Sequence, residues 1–166
     1  MVLFVMTGCA PHPGRLLVVV ETDIAVPDPL GEIDVRVERV DGRGRAGQPF
    51  SLRSAGDLPL SFAIVPRGER SDVEITVDGY RSGASICTSP GVPMGCVAPL
   101  ISRRAITGFV PGSTRTLRIF LAETCRAVTC LDGETCEAGV CVAVTRIDPR
   151  TLSIAPTPGA ELLDAG

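Results

Sequence analysis

The nine residues "EIDVRVERV" (residues 32–40) carry the pattern that decides the fold of this 166-residue chain. Ile33, Val35 and Val37 alternate with the charged residues at positions 34, 36 and 38. Successive side chains of a β-strand point to opposite faces, so the alternation predicts a strand with one apolar face and one solvated face. Asp34, Glu38 and, in a similar run, Glu74 and Asp78 are accordingly interpreted as parts of solvated strand faces.

The same period of two recurs between residue 15 and about residue 123, and no segment shows the apolar stripe of an amphipathic helix. Segments rich in Gly, Pro and Asp, such as "DGRGRAGQP" (residues 41–49), separate the runs and are expected to be loops. The predicted strands lie in "RLLVVVE" (15–21), "EIDVRVERV" (32–40), "LPLSFAIV" (58–65), "SDVEITVD" (71–78), "TLRIFL" (116–121) and, more weakly, in "PFSLR" (49–53) and "PLISRRAIT" (99–107). Six or seven short antiparallel strands predict an all-β protein, specifically a β-sandwich.

The segment "AITGFVPGSTRTLRIFL" (residues 105–121) connects two of these predicted strands through a Pro-Gly turn. Through Phe109, Pro111 and Gly112 it resembles a corner of fibronectin type III and related immunoglobulin-like domains. The corner tyrosine of those domains is absent, and Arg115 stands near its place. The resemblance implies an antiparallel sandwich of about seven strands.

The chain has seven cysteines, which are many for an intracellular protein of this size and suggest an oxidising compartment. In "CTSPGVPMGC", a disulfide between Cys87 and Cys96 would close a small loop. Val92, Pro93 and Met94 at the tip of this loop are a candidate binding site, although a disulfide-closed connection without a binding role explains the segment more simply.

The other four cysteines of the second half follow the spacing C-x4-C-x5-C-x4-C in "CRAVTCLDGETCEAGVC" (residues 125–141). Four cysteines allow three pairings, and spacing alone does not choose among them. A zinc site is disfavoured because no C-x2-C pair is present. The segment resembles the small EGF-like knots of secreted proteins, and this resemblance implies the disulfides Cys125–Cys136 and Cys130–Cys141. We expect the knot to cap one end of the sandwich.

The seventh cysteine, Cys9, follows an apolar stub and precedes the tether-like "APHPG" (residues 10–14). Met6-Thr7-Gly8-Cys9 resembles the lipobox of bacterial lipoproteins, which implies that the thiol of Cys9 carries a diacylglyceryl group and that cleavage occurs before it. Residues 1–8 lack the positive charge and length of a complete signal peptide, so we expect translation to start upstream of Met1. The resemblance implies a lipid anchor in the bacterial cell envelope, most simply at the outer membrane.

These observations divide the chain into five segments. Residues 1–8 are interpreted as the remnant of a signal peptide and 9–14 as the lipidated tether. Residues 15–123 form the predicted sandwich, 124–142 the disulfide-rich segment, and 143–166 a Pro/Ala-rich tail without a core pattern.

The sequence offers little for catalysis or for a cofactor. The single histidine, His12, lies in the tether, so the body lacks a histidine base for a nucleophile. A net charge of −3 without a basic, aromatic-rich stretch argues against a nucleic-acid partner. No cofactor or metal is expected. Arg103 and Arg104, with Arg115 and Arg118, are a candidate basic patch toward anionic lipid or polysaccharide, although ordinary surface charge explains them more simply.

The resulting prediction is a lipid-anchored, non-catalytic interaction or structural module of a bacterial envelope, with a protein or polysaccharide partner. One alternative is a glycan-binding module, which requires a concave face that bears aromatic side chains. Another is a hydrolase that depends on carboxylates alone, which requires two close acids in a pocket.

Overall fold

A computed structural model describes residues 14–66, 72–83 and 97–155. Its strands are β1 (Arg15–Thr22), β2 (Glu32–Arg39), β3 (Arg45–Ser51), β4 (Leu60–Ile64), β5 (Val73–Tyr80), β6 (Ile101–Thr107), β7 (Thr114–Leu121), β8 (Glu134–Glu137), β9 (Val140–Ala143), β10 (Arg146–Ile147) and β11 (Ser153–Ile154). The helical residues in these ranges are two single 3₁₀ turns, Ala55–Asp57 and Glu123–Cys125. Within the same ranges, no helix is long and apolar enough to cross a membrane.

Two sheets stack to form the sandwich, and both remain open. Sheet A has the strand order β11-β7-β1-β4, and sheet B has the order β10-β6-β5-β2-β3. A separate hairpin, β8-β9, contains two of the disulfide-bonded cysteines. The predicted all-β sandwich with a disulfide-rich appendage is confirmed.

The core lies between the two sheets and follows the predicted alternation. Ile33 and Val35 of β2 lie in register with Gly79 and Val77 of β5, and the apolar members of these pairs are buried. Leu16, Val18 and Val20 supply the facing side of sheet A, with no solvent exposure. Each such side chain contributes about 1.5–3 kcal/mol to stability when it is fully buried.

The pairing of the strands differs from the expectation at two points. β1 is antiparallel to β4 but parallel to β7, so the sandwich is not purely antiparallel. In an immunoglobulin constant domain the first, second, fourth and fifth strands share one sheet, whereas here β1 lies with β4 and β7. Alternation shows which face of a strand is buried but not which strand lies beside it, so it does not specify this grouping.

Two segments were expected outside the sheets and lie in them. β3 begins at Arg45, inside the segment expected to be a loop, and most of its residues are exposed on both faces. This exposure explains why the segment lacks an apolar alternation. Residues 143–155 were expected to be a tail, yet β10 adds to β6 and β11 adds to β7.

Candidate functional site

The two long sides of the sandwich are built differently. On one side β6 and β7 contact each other, and β10 and β11 extend the two sheets beyond them. Counted from that side, sheet B continues through β5, β2 and β3, whereas sheet A continues only through β1 and β4. In the part of the chain that the structure describes, the inner face of β3 therefore has no strand of sheet A opposite it.

A groove opens at this unmatched position, between the inner faces of β3 and β4. Its cavity volume is about 590 Å³. The floor consists of apolar side chains of β2 and β5, including Val35, Val37 and Val73, and Phe109 also lines the groove. We call this cavity the β3–β4 groove.

The side chains of β3 explain why the groove is not filled. Ala46 and Gln48 lie in register with Val37 and Val35 and therefore point inward, but both are exposed. A methyl group and a polar amide at these two positions leave space that larger apolar side chains would occupy. The small and polar residues of "AGQ" (residues 46–48) thus create the groove.

Two phenylalanines close one part of the groove. Phe50 points inward from β3, and Phe62 points inward from β4, in register with the buried Val18. Their ring centroids are 6.1 Å apart, and the ring planes differ by 22°. This offset stack joins the two edge strands across the sandwich.

Three arginines lie at the end of the groove formed by the β2–β3 turn, where Arg39, Arg43 and Arg45 are among the lining residues. Arg39 pairs with Asp41 at 2.6 Å, and Arg45 pairs with Glu38 at 2.9 Å. The backbone N–H of Arg43 and the side chain of Arg39 donate hydrogen bonds to Asp41, which lowers the pKa of that carboxyl group.

The guanidinium of Arg43 makes no ion pair with the residues that the structure describes. Among those residues, no carboxylate lines the groove. This end of the groove is therefore the natural place for an anionic group of a ligand.

The opposite side of the sandwich is closed by the disulfide-rich appendage. The structure contains the disulfides Cys125–Cys136 and Cys130–Cys141, which is the pairing that the EGF-like resemblance implies. Cys125 and Cys136 are each 1 % exposed and belong to the main core. The appendage is thus continuous with the sandwich core.

Cys130, Cys141 and Glu134 lie close enough together to resemble a metal-binding cluster. The two sulfurs are bonded to each other, however, and a carboxylate oxygen of Glu134 accepts a hydrogen bond from the backbone N–H of Leu131 at 3.1 Å. A disulfide offers no thiolate to a metal ion, so the cluster is a structural feature of the knot.

Arg103 and Arg104, the candidate basic patch, contact the appendage. Nη1 of Arg103 donates to the carbonyl oxygen of Cys136. The backbone N–H of Arg104 donates to Oγ1 of Thr135 at 3.0 Å, and its guanidinium lies 3.5 Å from a carboxylate oxygen of Asp132. These contacts give both arginines a role in attaching the appendage.

The other two arginines of that patch are also engaged. Arg115 donates from Nη1 to the carbonyl oxygen of Leu152 at 3.0 Å, next to β11. Arg118 pairs with Glu21 of the neighbouring strand β1 at 2.8 Å. The structure does not bring these two together with Arg103 and Arg104 in one contact network of described residues.

Asp34 and Asp78 correct the expectation of solvated strand faces. They lie opposite each other on β2 and β5, on the outer face of sheet B, yet they are only 3 % and 2 % exposed. Nη2 of Arg36 contacts a carboxylate oxygen of Asp78, and Nε of Arg36 lies 3.7 Å from a carboxylate oxygen of Asp34. Burial raises the pKa of Asp34. Burial, followed by the charge of Asp78, raises the pKa of Tyr80 on the same face to about 12.

Six of the candidate lipidation, disulfide and binding residues lie outside the described residues. They are Cys9, Cys87, Val92, Pro93, Met94 and Cys96. The groove, by contrast, was missed in the sequence, because the short run "AGQ" in an expected loop gave no sign of a strand. The signal that could have found it is the "PFSLR" strand, which places Phe50 next to that run.

No protein-family model, no curated protein and no solved structure matches this chain.

Proposed function

We propose that this protein is a non-catalytic interaction module of a bacterial cell envelope, anchored through lipid on Cys9 to the outer membrane. The β3–β4 groove is its binding surface. The observation that carries this proposal is a groove of about 590 Å³, with an apolar floor and arginines at one end, at the side of the sandwich where the described part of sheet A lacks a strand.

The proposed lipid anchor is supported by the odd number of cysteines in the chain. Four of the seven are paired in the two disulfides of the appendage. If Cys87 pairs with Cys96, Cys9 is the cysteine left over, and it stands at the last position of the lipobox-like motif. Each buried methylene of an acyl chain contributes about 0.8 kcal/mol, and two chains hold a protein stably on a membrane.

The groove is supported as a binding surface by its composition. Apolar pockets with a few polar groups at the mouth are the usual form of binding sites. Leu60, Phe62 and Ile64 of β4 are only partly buried, and Val65 beyond them is 48 % exposed. A partner that covers this surface would remove apolar area from water, which favours association.

A non-catalytic role is supported by the arrangement of Asp34 and Asp78. Carboxylates that act as general acid and base must contact the substrate. These two are almost completely buried, and one guanidinium, that of Arg36, contacts or approaches both. Such an arrangement is typical of a structural charge cluster.

The second candidate is a glycan-binding module, favoured by the three phenylalanines Phe50, Phe62 and Phe109 in the groove. Sugars bind to free aromatic faces, however, and Phe50 and Phe62 stack on each other. An interaction with apolar side chains of a partner therefore fits the groove better. A glycan array on which the protein binds a defined sugar, with loss of binding in Phe62→Ala, would favour the second candidate instead.

The anchor is tested in the native bacterium by mass spectrometry of the purified protein and by membrane fractionation. We expect acyl chains on an N-terminal Cys9, and we expect Cys9→Ala to move the protein from the membrane fraction to the soluble fraction. Recovery of the unmodified wild-type protein in the soluble fraction would contradict the proposal.

The groove is tested by photo-crosslinking with benzoylphenylalanine introduced at Gln48 or at Ser51. Both positions are exposed on β3, but Gln48 points into the groove and Ser51 lies on the opposite face of the strand. We expect a specific envelope partner to crosslink from position 48 and not from position 51. Equal crosslinking from both positions would show that the groove is not the binding surface.

A further inference from the structure

The free edges of the two sheets are not equally protected against an incoming strand. Proteins protect their edges with very short strands, charged residues and prolines. β10 and β11, at the closed side, are two residues each. β3 carries Arg45 and Pro49. These three edges are poor sites for the addition of a strand.

β4 carries none of these protections along its length. It is five residues long, and its sequence, with the residues on either side, is "LPLSFAIVP" (residues 58–66). The segment contains no charged residue, and its prolines stand outside the strand, at positions 59 and 66. Among the described residues no strand pairs with the outer edge of β4, so this edge offers backbone N–H and C=O groups with apolar neighbours.

The position next to β4 is where sheet A can be extended. Sheet B has a strand, β3, opposite this position, and the described part of sheet A has none. A segment placed about 4.8 Å from β4 would continue sheet A. Its alternate side chains would enter the β3–β4 groove and cover the inward-facing Ala46 and Gln48.

We propose that β4 binds an extended peptide segment of the partner as an additional strand of sheet A. The segment has apolar residues at alternate positions and an acidic group at the end that lies against Arg39 and Arg43. This inference rests on the proposed function, because it assigns the mode of binding to the same groove.

The acidic group follows from charge complementarity. Arg39 and Arg43 line the end of the groove at the β2–β3 turn. Asp41 pairs with Arg39, and the guanidinium of Arg43 makes no ion pair with the described residues, so two arginines share one carboxylate at this end. A carboxylate at this end of the peptide would supply the missing partner.

The shape of the groove argues for a single peptide segment rather than a second copy of this chain. In a symmetric dimer, β4 would pair with β4 of the partner. Each copy has β3 overhanging the position beside its own β4. The two overhanging strands would then compete for the same space, whereas one extended segment fits beneath β3.

The test begins with a phage-displayed library of random 12-residue peptides, selected on the full-length protein. We expect the enriched peptides to share alternating apolar residues with an acidic residue at one end. One enriched peptide is then synthesised with single backbone N-methyl groups at successive positions. Strand addition predicts that methylation at every second position weakens binding about tenfold, because it removes a hydrogen bond to β4, while methylation at the intervening positions has little effect.

A matched pair of variants places the peptide in the groove. Ala46→Phe adds bulk to the inner face of β3, and Ser51→Phe adds it to the outer face of the same strand. We expect Ala46→Phe to weaken binding at least about tenfold and Ser51→Phe to leave it unchanged.

Two further outcomes would overturn the inference. One is a peptide result that does not fit strand addition: either the selected peptides share no alternating apolar pattern, or their binding does not depend on the position of the N-methyl group. The other is a dimer in solution that Ala46→Phe dissociates. If the partner still crosslinks from position 48 under either outcome, the groove remains the binding surface but does not bind by strand addition.

Discussion

The two long sides of the sandwich differ in how the edges of the sheets are covered. The side at β6 and β7 is closed, and the side at β3 and β4 is open. At the closed side, a short segment with two disulfides packs against the core, and the ends of both sheets are extended by two-residue strands. At the open side, one sheet ends a strand earlier than the other and leaves a groove. The disulfides that stabilise the fold and the groove that is accessible to a partner thus lie on different sides of one small core.

This difference shows that the fold leaves apolar side chains incompletely covered on the open side. A small domain buries a limited fraction of its surface, so an open edge lowers its stability. Covalent links at the other side offset that loss by restricting the unfolded chain. The disulfides thus add stability on one side of the molecule while the groove on the other side is left unfilled.

The largest effect is expected from removing the disulfide that lies in the core. Replacing Cys125 and Cys136 by alanine should lower the free energy of unfolding by about 4 kcal/mol, of which about 3 is the loop entropy. The matched control replaces Cys130 and Cys141, which have the same sequence separation of 11 but are less buried. We expect about 3 kcal/mol there. Guanidinium unfolding measures the free energy of unfolding of both variants. An equal loss of stability would show that burial of the Cys125–Cys136 disulfide does not add to its stabilising effect.

A second comparison replaces the same side chain on the two sides of the molecule. Leu121 on β7 is fully buried near the appendage, whereas Leu60 on β4 is partly exposed. Leu121→Ala should cost about 3 kcal/mol and Leu60→Ala about 1, because a cavity at an open edge admits water. Urea unfolding checks the difference. A larger cost at Leu60 would mean that the open side is packed as tightly as the closed one.

Filling the groove should stabilise the fold. Gln48→Leu places an apolar side chain against Val35 and should raise the free energy of unfolding by up to about 1 kcal/mol. Ser51→Leu, on the outer face of the same strand, should change it by no more than about 0.5 kcal/mol. Thermal unfolding of both variants provides the measurement. Destabilisation by Gln48→Leu would show that the groove has no room for the larger apolar side chain.

The smallest effect concerns the ion pair that holds β10 at the closed side. Arg146 donates from Nη2 to Asp72 at 3.0 Å, and this hydrogen bond lowers the pKa of the Asp72 carboxyl group. A lowered pKa in the folded state gives stability that is present above the unfolded value of about 4 and is lost as the pH falls through the folded value.

Asp72→Asn should therefore cost less than about 1 kcal/mol at pH 7, because both partners are substantially exposed. The cost should begin to shrink below about pH 4 and vanish only below the lowered pKa of Asp72 in the folded state. Unfolding curves from pH 7 to pH 3 give the measurement. Glu38→Gln, which removes the exposed pair with Arg45 at the open side, is the control and should change stability by less than about 0.5 kcal/mol. A cost of Asp72→Asn that is independent of pH would exclude the ionised pair as its cause.

The faces of the strands were predictable residue by residue. Val73, Ile75 and Val77 point into the core, as their alternation indicates. The boundaries of β3 and the addition of β10 and β11 to the sheets were not predictable. The segments concerned are exposed or too short to show a period of two. The buried pair Asp34 and Asp78 was misread for a related reason, since alternation assigns a side chain to a face but does not say whether that face is covered.

The sequence by itself determined that this protein is an all-β sandwich with a stapled C-terminal segment, because strand alternation and cysteine spacing are local properties. Only the tertiary structure decided that β1 lies between β4 and β7, that sheet A ends one strand before sheet B, and that a groove opens there. Those features depend on hydrogen bonds between residues far apart in the chain, and on side chains too small to fill a space that no single segment encloses.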